Sequence, residues 1–237
     1  MKLLNVDQNA KTVKGQKRGF LTGVLYLAPA RLSGYEVCPG RSEGCTRACL
    51  NTAGRGVFHK TQRARIAKTK WFFKDRDAFM LQLQDEIQAL IDKAKRLGMT
   101  PVVRLNGTSD IAWERVPILF FENIMEMFPE IQFYDYTKVS KRMRGPLPSN
   151  YHLTFSLSEE NLPEAKKVLR AGGNVAVVFR KAPTTFLGAP VVDGDADDLR
   201  FDNQVPKGFS STQHAGVIVS LKPKGRARQD TSGFVRA

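Results

Sequence analysis

The sequence predicts an α/β fold, a complete or partial parallel (β/α) barrel of TIM-like form. Short apolar runs alternate with stretches of helical periodicity, the pattern of βα units on a parallel sheet. Several of those runs stop at clusters of Asn, Ser, Asp and Lys, and in a parallel barrel such strand ends all open on one face. A length of 237 residues suits one such domain, expected over residues 20–225.

The segment MKLLNVDQNAKTVKGQKRG (1–19) has no long apolar core and reads as a basic arm, with residues 1–15 expected to be disordered. FLTGVLYLA (20–28) is an apolar strand, and a loop rich in Gly, Ser and Arg follows it. Residues 58–73 are basic and helical in character. From Asp75 to Leu97, Phe79, Leu83, Ile87, Leu90, Ile91, Ala94 and Leu97 recur at helical spacing, and Gly98 stands where a C-terminal cap belongs. PVVRLNGTSD (101–110) is a strand ending in a polar turn, and residues 114–128 return to a helical pattern through Ile118, Phe121, Ile124 and Met125. IQFYDYTK (131–138) and YHLTFSLS (151–158) are strands. Pro163 opens a helix that Gly172 and Gly173 close. NVAVVF (174–179), VVDGD (191–195) and GVIVSLK (216–222) complete about seven strands. The tail KGRARQDTSGFVRA is expected to be disordered, with residues 226–237 outside the domain.

No apolar run approaches the ~18 residues that cross a bilayer, and no signal peptide is recognisable, so a cytoplasmic protein with no membrane partner is expected. The net charge of +14 favours a polyanionic partner, a nucleic acid or nucleotide. Arg47, Arg55, Lys60, Arg63, Arg65, Lys68 and Lys70, interleaved with Phe58, Trp71 and Phe72, form a stretch that suits phosphates and stacked bases, or a helix with a solvated cationic face.

All three cysteines, Cys38, Cys45 and Cys49, lie within one loop. An odd number argues against a disulfide framework and for metal chemistry. Three thiolates can hold zinc with a fourth ligand from water or a histidine, His59 being nearest in sequence and His152 and His214 remote. They can also hold three irons of a [4Fe–4S] cluster and leave the fourth iron open. Spacings of six and three residues depart from the two-residue knuckle of structural zinc sites and favour the cluster.

The strand ends supply further candidates: Asn106, Ser109 and Asp110; Asp135 and Lys138; Ser156 and Ser158. Asp110 and Asp135 are candidates for an acid/base or nucleophile pair, and Lys138 is a further catalytic candidate. Asp193 and Asp195 suit a cation or a loop brace.

CPG…GC…ACLNTAGRG, VRLNGTSD, FYDYTK and NYHLTFS, in this order, resemble the phage and plasmid proteins grouped as the gene-88 protein family, over roughly residues 20–225. That resemblance implies a phage protein acting in the cytoplasm of an infected host cell. More distantly, the layout is similar to radical S-adenosylmethionine enzymes, although their cysteine spacings are three and two. It implies that Cys38, Cys45 and Cys49 ligate a [4Fe–4S] cluster and that S-adenosylmethionine binds its open iron. Asn106, Ser109 and Asp110 would then lie near the cofactor's amino group, and Ser156 and Ser158 near its ribose or carboxylate. The expected function is a radical S-adenosylmethionine-like enzyme acting on a nucleic acid or nucleotide. The alternatives are a zinc-containing transglycosylase-like enzyme using Asp110 and Asp135, and a metal-stapled nucleic-acid-binding protein without catalysis.

Overall fold

Side chains alternate across a strand, and here the alternation divides two apolar layers. A computed structural model describes residues 1–7, 9–207 and 216–237. Among the described residues the strands are β1 (Leu4–Val6), β2 (Phe20–Leu25), β3 (Thr100–Arg104), β4 (Gln132–Thr137), β5 (Tyr151–Ser156), β6 (Val175–Phe179), β7 (Thr185–Phe186), β8 (Ala189–Asp193), β9 (Ile218–Leu221) and β10 (Val235–Arg236). The helices are α1 (Ala10–Gln16), α2 (Glu43–Arg47), α3 (His59–Lys74), α4 (Arg76–Arg96), α5 (Ile124–Met127) and α6 (Leu162–Arg170).

The strands form one sheet in the order β1, β2, β3, β4, β5, β6, β9, β8, β7. Neighbours from β2 to β8 along this path run parallel, and the two outermost pairs, β1–β2 and β7–β8, are antiparallel. The path does not close on itself among the described residues. Leu21, Leu25, Val103, Phe133 and Leu153 face Phe79, Leu83, Ile87 and Leu90 of α4, and Phe155, Val175 and Val177 face Ala165, Val168 and Leu169 of α6. On the opposite face Val102 and Tyr134 pack with Leu199, and Ala176 with Val219.

That opposite face also carries charge. Arg104 donates to Asp198 at 2.9 Å, the Tyr134 hydroxyl donates to the same oxygen at 3.2 Å, and Arg104 lies 4.7 Å from the centre of the Tyr136 ring. Burial opposes the charge of Asp198, but Arg104 and Arg200 outweigh it and hold the carboxyl below its usual range. The acidic run after β8 is therefore largely a set of anchors. Asp195 pairs with Lys11, Asp197 with Arg18 and Asp198 with Arg104, while Asp193 is exposed and accepts the Asp195 N–H.

Both termini differ from the expected disorder. Residues 4–6 pair with β2, and α1 is capped by Asn9 and tied to the segment after β8 through Lys11 and through Gly15, which packs on Leu199. At the other end, β10 runs beside β6, and Phe234 and Val235 pack against Ala48 and Ala227. Asp230 folds this tail by accepting from the Ser232 hydroxyl at 2.7 Å and the Val235 N–H at 3.0 Å. The helix expected over 114–128 is also replaced. Pro117 interrupts it, Ile118 and Phe121 pair as a tight bridge, and only Ile124–Met127 is α-helical, capped by Asn123. His214 lies outside the described residues.

Truncation after Gln229 removes the Phe234 and Val235 contacts and should cost roughly 3–6 kcal/mol of unfolding free energy, taking about 1.5–3 kcal/mol per buried apolar side chain. Denaturant unfolding of the full and truncated chains checks this. Coincident curves would mean that the tail adds nothing to the fold.

Candidate functional site

Because β2 to β6, β8 and β9 are parallel, the loops after them rise from one edge of the sheet, and the cysteine loop is the one that follows β2. Ser42 caps α2 by accepting the Cys45 N–H at 3.2 Å. Glu159, beyond β5, fixes that cap by accepting from the Ser42 hydroxyl at 2.8 Å and from the Gly44 N–H at 2.6 Å. A side chain at position 44 would put its first carbon 2.6 Å from Glu159 Oε1, so glycine is needed there. Cys49 caps the short turn Leu50–Thr52, and Asn51 in that turn takes a hydrogen bond from buried Arg65 of α3. The Arg65 guanidinium also lies 4.8 Å from the centre of the Tyr26 ring, just past β2.

The three thiols are free and half-buried. Cys38 Sγ accepts the Ala30 N–H at 3.4 Å and approaches the Thr108 carbonyl at 3.8 Å, while Cys49 Sγ accepts the Asn51 N–H at 3.5 Å. Burial pushes the Cys38 thiol up to about 12, and the charges of Cys49, Asp110 and Cys45 add to the rise. Burial raises Cys49 too, with Cys45 adding and Arg65 and Lys138 opposing. Among the described residues, no three His, Cys, Asp or Glu side chains form a preformed metal-binding group. The donor set nevertheless fits a soft metal or an iron–sulfur cluster. Two of its sulfurs, those of Cys38 and Cys49, already accept backbone N–H groups, as cluster thiolates do.

The Asp110 backbone N–H donates to Val37 O at 2.7 Å, beside Cys38, and its carboxylate accepts the Lys138 N–H at 2.8 Å and Arg142 Nη1 at 2.6 Å. Buried Arg142 also donates to both oxygens of Glu114 at 2.8 Å and to the Tyr151 hydroxyl at 3.0 Å. Burial works against its charge, but Tyr151, Glu114 and Asp110 outweigh this and raise its pKa above the usual arginine value.

The other predicted residues fall into two groups. Lys138 Nζ donates to Ser156 Oγ at 2.6 Å and lies 5.3 Å from the centre of the Phe234 ring, while its backbone N–H holds Asp110. Ser109 donates to Asn106 Oδ1 at 2.8 Å, and Asn106 is consumed inside its own loop by Ile111 and Trp113. Ser158 is buried under the tail, and its carbonyl accepts Arg236 Nη2 at 2.9 Å. Asp135 lies on the helix-covered face, wholly buried, where it accepts the Asn106 N–H at 2.6 Å and the Tyr151 hydroxyl at 2.9 Å. Burial pushes its carboxyl up to about 7 against the pull of Arg104.

His59 is exposed at the start of α3, and His152 lies on the face opposite α4, its pKa pushed down to about 4 by burial and by Arg200. In the basic stretch, Arg65, Lys68 and Phe72 are buried, while Arg55, Lys60, Arg63, Lys70 and Phe58 are exposed. Sequence patterns did not bring Arg142, Arg236 or Phe234 to the rim. Arg142 opens the single 3-10 turn Arg142–Arg144, too short to show a periodicity, and the tail is polar in composition.

Arg142→Ala would leave Asp110 and Glu114 buried without their counter-charge and should destabilise the chain by about 3–5 kcal/mol. Chemical denaturation measures this. A loss below about 1 kcal/mol would place the ion pairs in the class of exposed ones.

A family model described as gene product 88 matches residues 2–237. No significant match was found among curated proteins or among solved structures.

Proposed function

The chain belongs to the gene product 88 family, and from that premise we propose that it is an iron–sulfur enzyme of radical S-adenosylmethionine type acting on a nucleic acid or nucleotide. The observation that carries this is the placement of all three cysteines on the one loop that follows β2 at the C-terminal edge of a parallel sheet, with backbone N–H groups donated to two of the sulfurs. We further propose that the sheet is the wall of a partial barrel, with Cys38, Cys45 and Cys49 holding a [4Fe–4S] cluster. When bound, such a cluster supplies an open iron for the amino and carboxylate groups of S-adenosylmethionine and an electron for the cofactor's cleavage.

The protein's own residues support that chemistry in distinct ways. The Ala30 and Asn51 N–H groups donate to Cys38 and Cys49 and favour their charged forms. Arg65 and Lys138 add positive charge beside Cys49, which favours an electron-rich, anionic group there. Phe234 and Val235 cover the side of the loop that carries Cys45, which limits water. Lys138 and Ser156 form a hydrogen-bonded pair at the edge, where a cofactor carboxylate would find a cation and a hydroxyl. A net charge of +14 favours a phosphate-bearing substrate.

The transglycosylase-like alternative asks Asp110 and Asp135 to work as nucleophile and acid/base. Asp110 is engaged by Arg142 and the Lys138 N–H, and Asp135 is wholly buried beneath the helices, so neither carboxylate favours that chemistry over the cluster.

Purification under anaerobic conditions followed by iron and sulfide analysis tests the proposal. The wild-type chain should be brown, with visible absorbance that bleaches on reduction, and Cys38→Ser, Cys45→Ser and Cys49→Ser should each lose most of the iron. A colourless chain that retains stoichiometric zinc through the same cysteines would overturn it.

A further inference from the structure

A second basic feature lies on the same edge of the sheet, away from the cysteine loop. Lys11 and Lys14 of α1, Asp195 after β8, and Lys222, Lys224 and Arg228 after β9 line an open cavity of about 310 Å³. Five cationic side chains thus face one carboxylate. That carboxylate is occupied in holding the cavity's frame. Asp195 accepts Lys11 Nζ at 2.8 Å and the Lys222 backbone N–H at 2.7 Å, and Lys224 Nζ stands 3.5 Å away. Lys11 also donates to Gly194 O at 2.9 Å, and Lys14 to Asp195 O at 2.8 Å. Among the described residues, Lys222 and Arg228 have no acidic partner.

Cations concentrated in a concavity repel one another and gain from an anion that several of them can share. The volume is at the small end of ligand pockets and suits a phosphate or diphosphate group better than a whole nucleotide. The cavity also has a physical link to the cysteine loop. The turn Gly225–Gln229 supplies Arg228 to the cavity, while its Arg226 N–H donates to Thr52 Oγ1 at 3.4 Å, three residues past Cys49. A substrate with its phosphate in the cavity would extend along this turn.

We infer that this cavity is a phosphate-binding subsite, formed by Lys11, Lys14, Lys222, Lys224 and Arg228, that anchors a nucleotide-type substrate. Phosphate recognition stands on the cavity alone, and its assignment to the substrate of the thiol site rests on the proposed function. Asp195 is a positioning residue here, holding Lys11 in place and orienting the backbone of Lys222 so that the remaining cations are left to the ligand.

Calorimetric titration of the full-length protein with inorganic pyrophosphate tests this. The double variant Lys222→Ala/Arg228→Ala keeps the backbone contact to Asp195 and should weaken binding by about tenfold or more, the loss of charge-assisted hydrogen bonds. Lys222→Arg in an otherwise native chain should retain binding. The control Lys95→Ala/Arg96→Ala removes the same charge at the end of α4 and should leave affinity within about twofold. Equal weakening by both double variants, or by neither, would overturn the subsite.

Competition then separates the sources of phosphate. Displacement of pyrophosphate by a mononucleotide alone indicates a terminal phosphate, and displacement by a short single-stranded oligonucleotide indicates the nucleic-acid backbone. Displacement by neither would overturn the nucleotide assignment. Iron content measured on the same cavity variant should equal that of the wild type. Weakened phosphate binding with full iron would therefore concern this subsite alone, and an iron-free wild-type protein that still binds pyrophosphate would concern only the proposed function.

Discussion

Asp110 joins three loops through one residue. Its N–H holds the cysteine loop at Val37, its carboxylate holds the loop after β4 at the Lys138 N–H, and Arg142 balances its charge in a buried setting. A carboxylate at this depth is tolerable only with such a partner, because an unpaired buried charge costs several kcal/mol. Arg142 in turn engages Glu114 and Tyr151, and Tyr151 reaches Asp135. The network fixes Cys38 and Lys138 in relation to each other before any ligand arrives. Preorganisation of that kind is what a site needs if bound groups are to be held without further ordering of the chain.

Much of the fold was legible because its physics is local or periodic. The α4 stripe from Phe79 to Ala94 repeats at helical spacing, β2 and β6 are nearly continuous apolar runs, as strands covered on both faces must be, and β5 alternates apolar with polar residues at the strand period. The parts that were not legible depend on distant partners. Helix α1 has little apolar surface and is secured by Lys11 to Asp195 and by Gly15 to Leu199, contacts that cross most of the chain. The tail owes its order to Asp230 and to burial of Phe234 and Val235 against the cysteine loop. Residues 114–128 have a helical hydrophobic pattern, yet Pro117 and the Ile118–Phe121 bridge break it.

The candidate site was legible in part for the same reasons. The cysteines stand out by count and clustering, and Lys138 and Ser156 by their place at strand ends. Asp135 shares the parity of Ile131 and Phe133, which face α4, and that period-two signal marks it as a core carboxyl instead of a rim group. The basic stretch divides in a way its composition does not reveal. Arg65 supports Asn51 and Tyr26, and Lys68 donates to Leu3 O at 2.7 Å with its pKa pushed down to about 8 by burial, so both are structural. Cationic charge available to a partner lies on the exposed Arg55, Lys60 and Arg63 of that stretch and around the cavity between α1 and β9.

The three cysteines and the cationic cavity lie on one edge of the sheet, the first braced by the Asp110–Arg142–Glu114 ion pairs and the second by Asp195 with Lys11. The central claim is that the three thiols share a single iron–sulfur group with one iron left to an outside ligand. Mössbauer spectroscopy of the iron-reconstituted protein tests it most directly. With three thiolate ligands, the expected spectrum is that of a four-iron cluster in which one iron separates from the other three when S-adenosylmethionine is added. Four equivalent irons unaffected by the cofactor, or a cluster of another nuclearity, would contradict it.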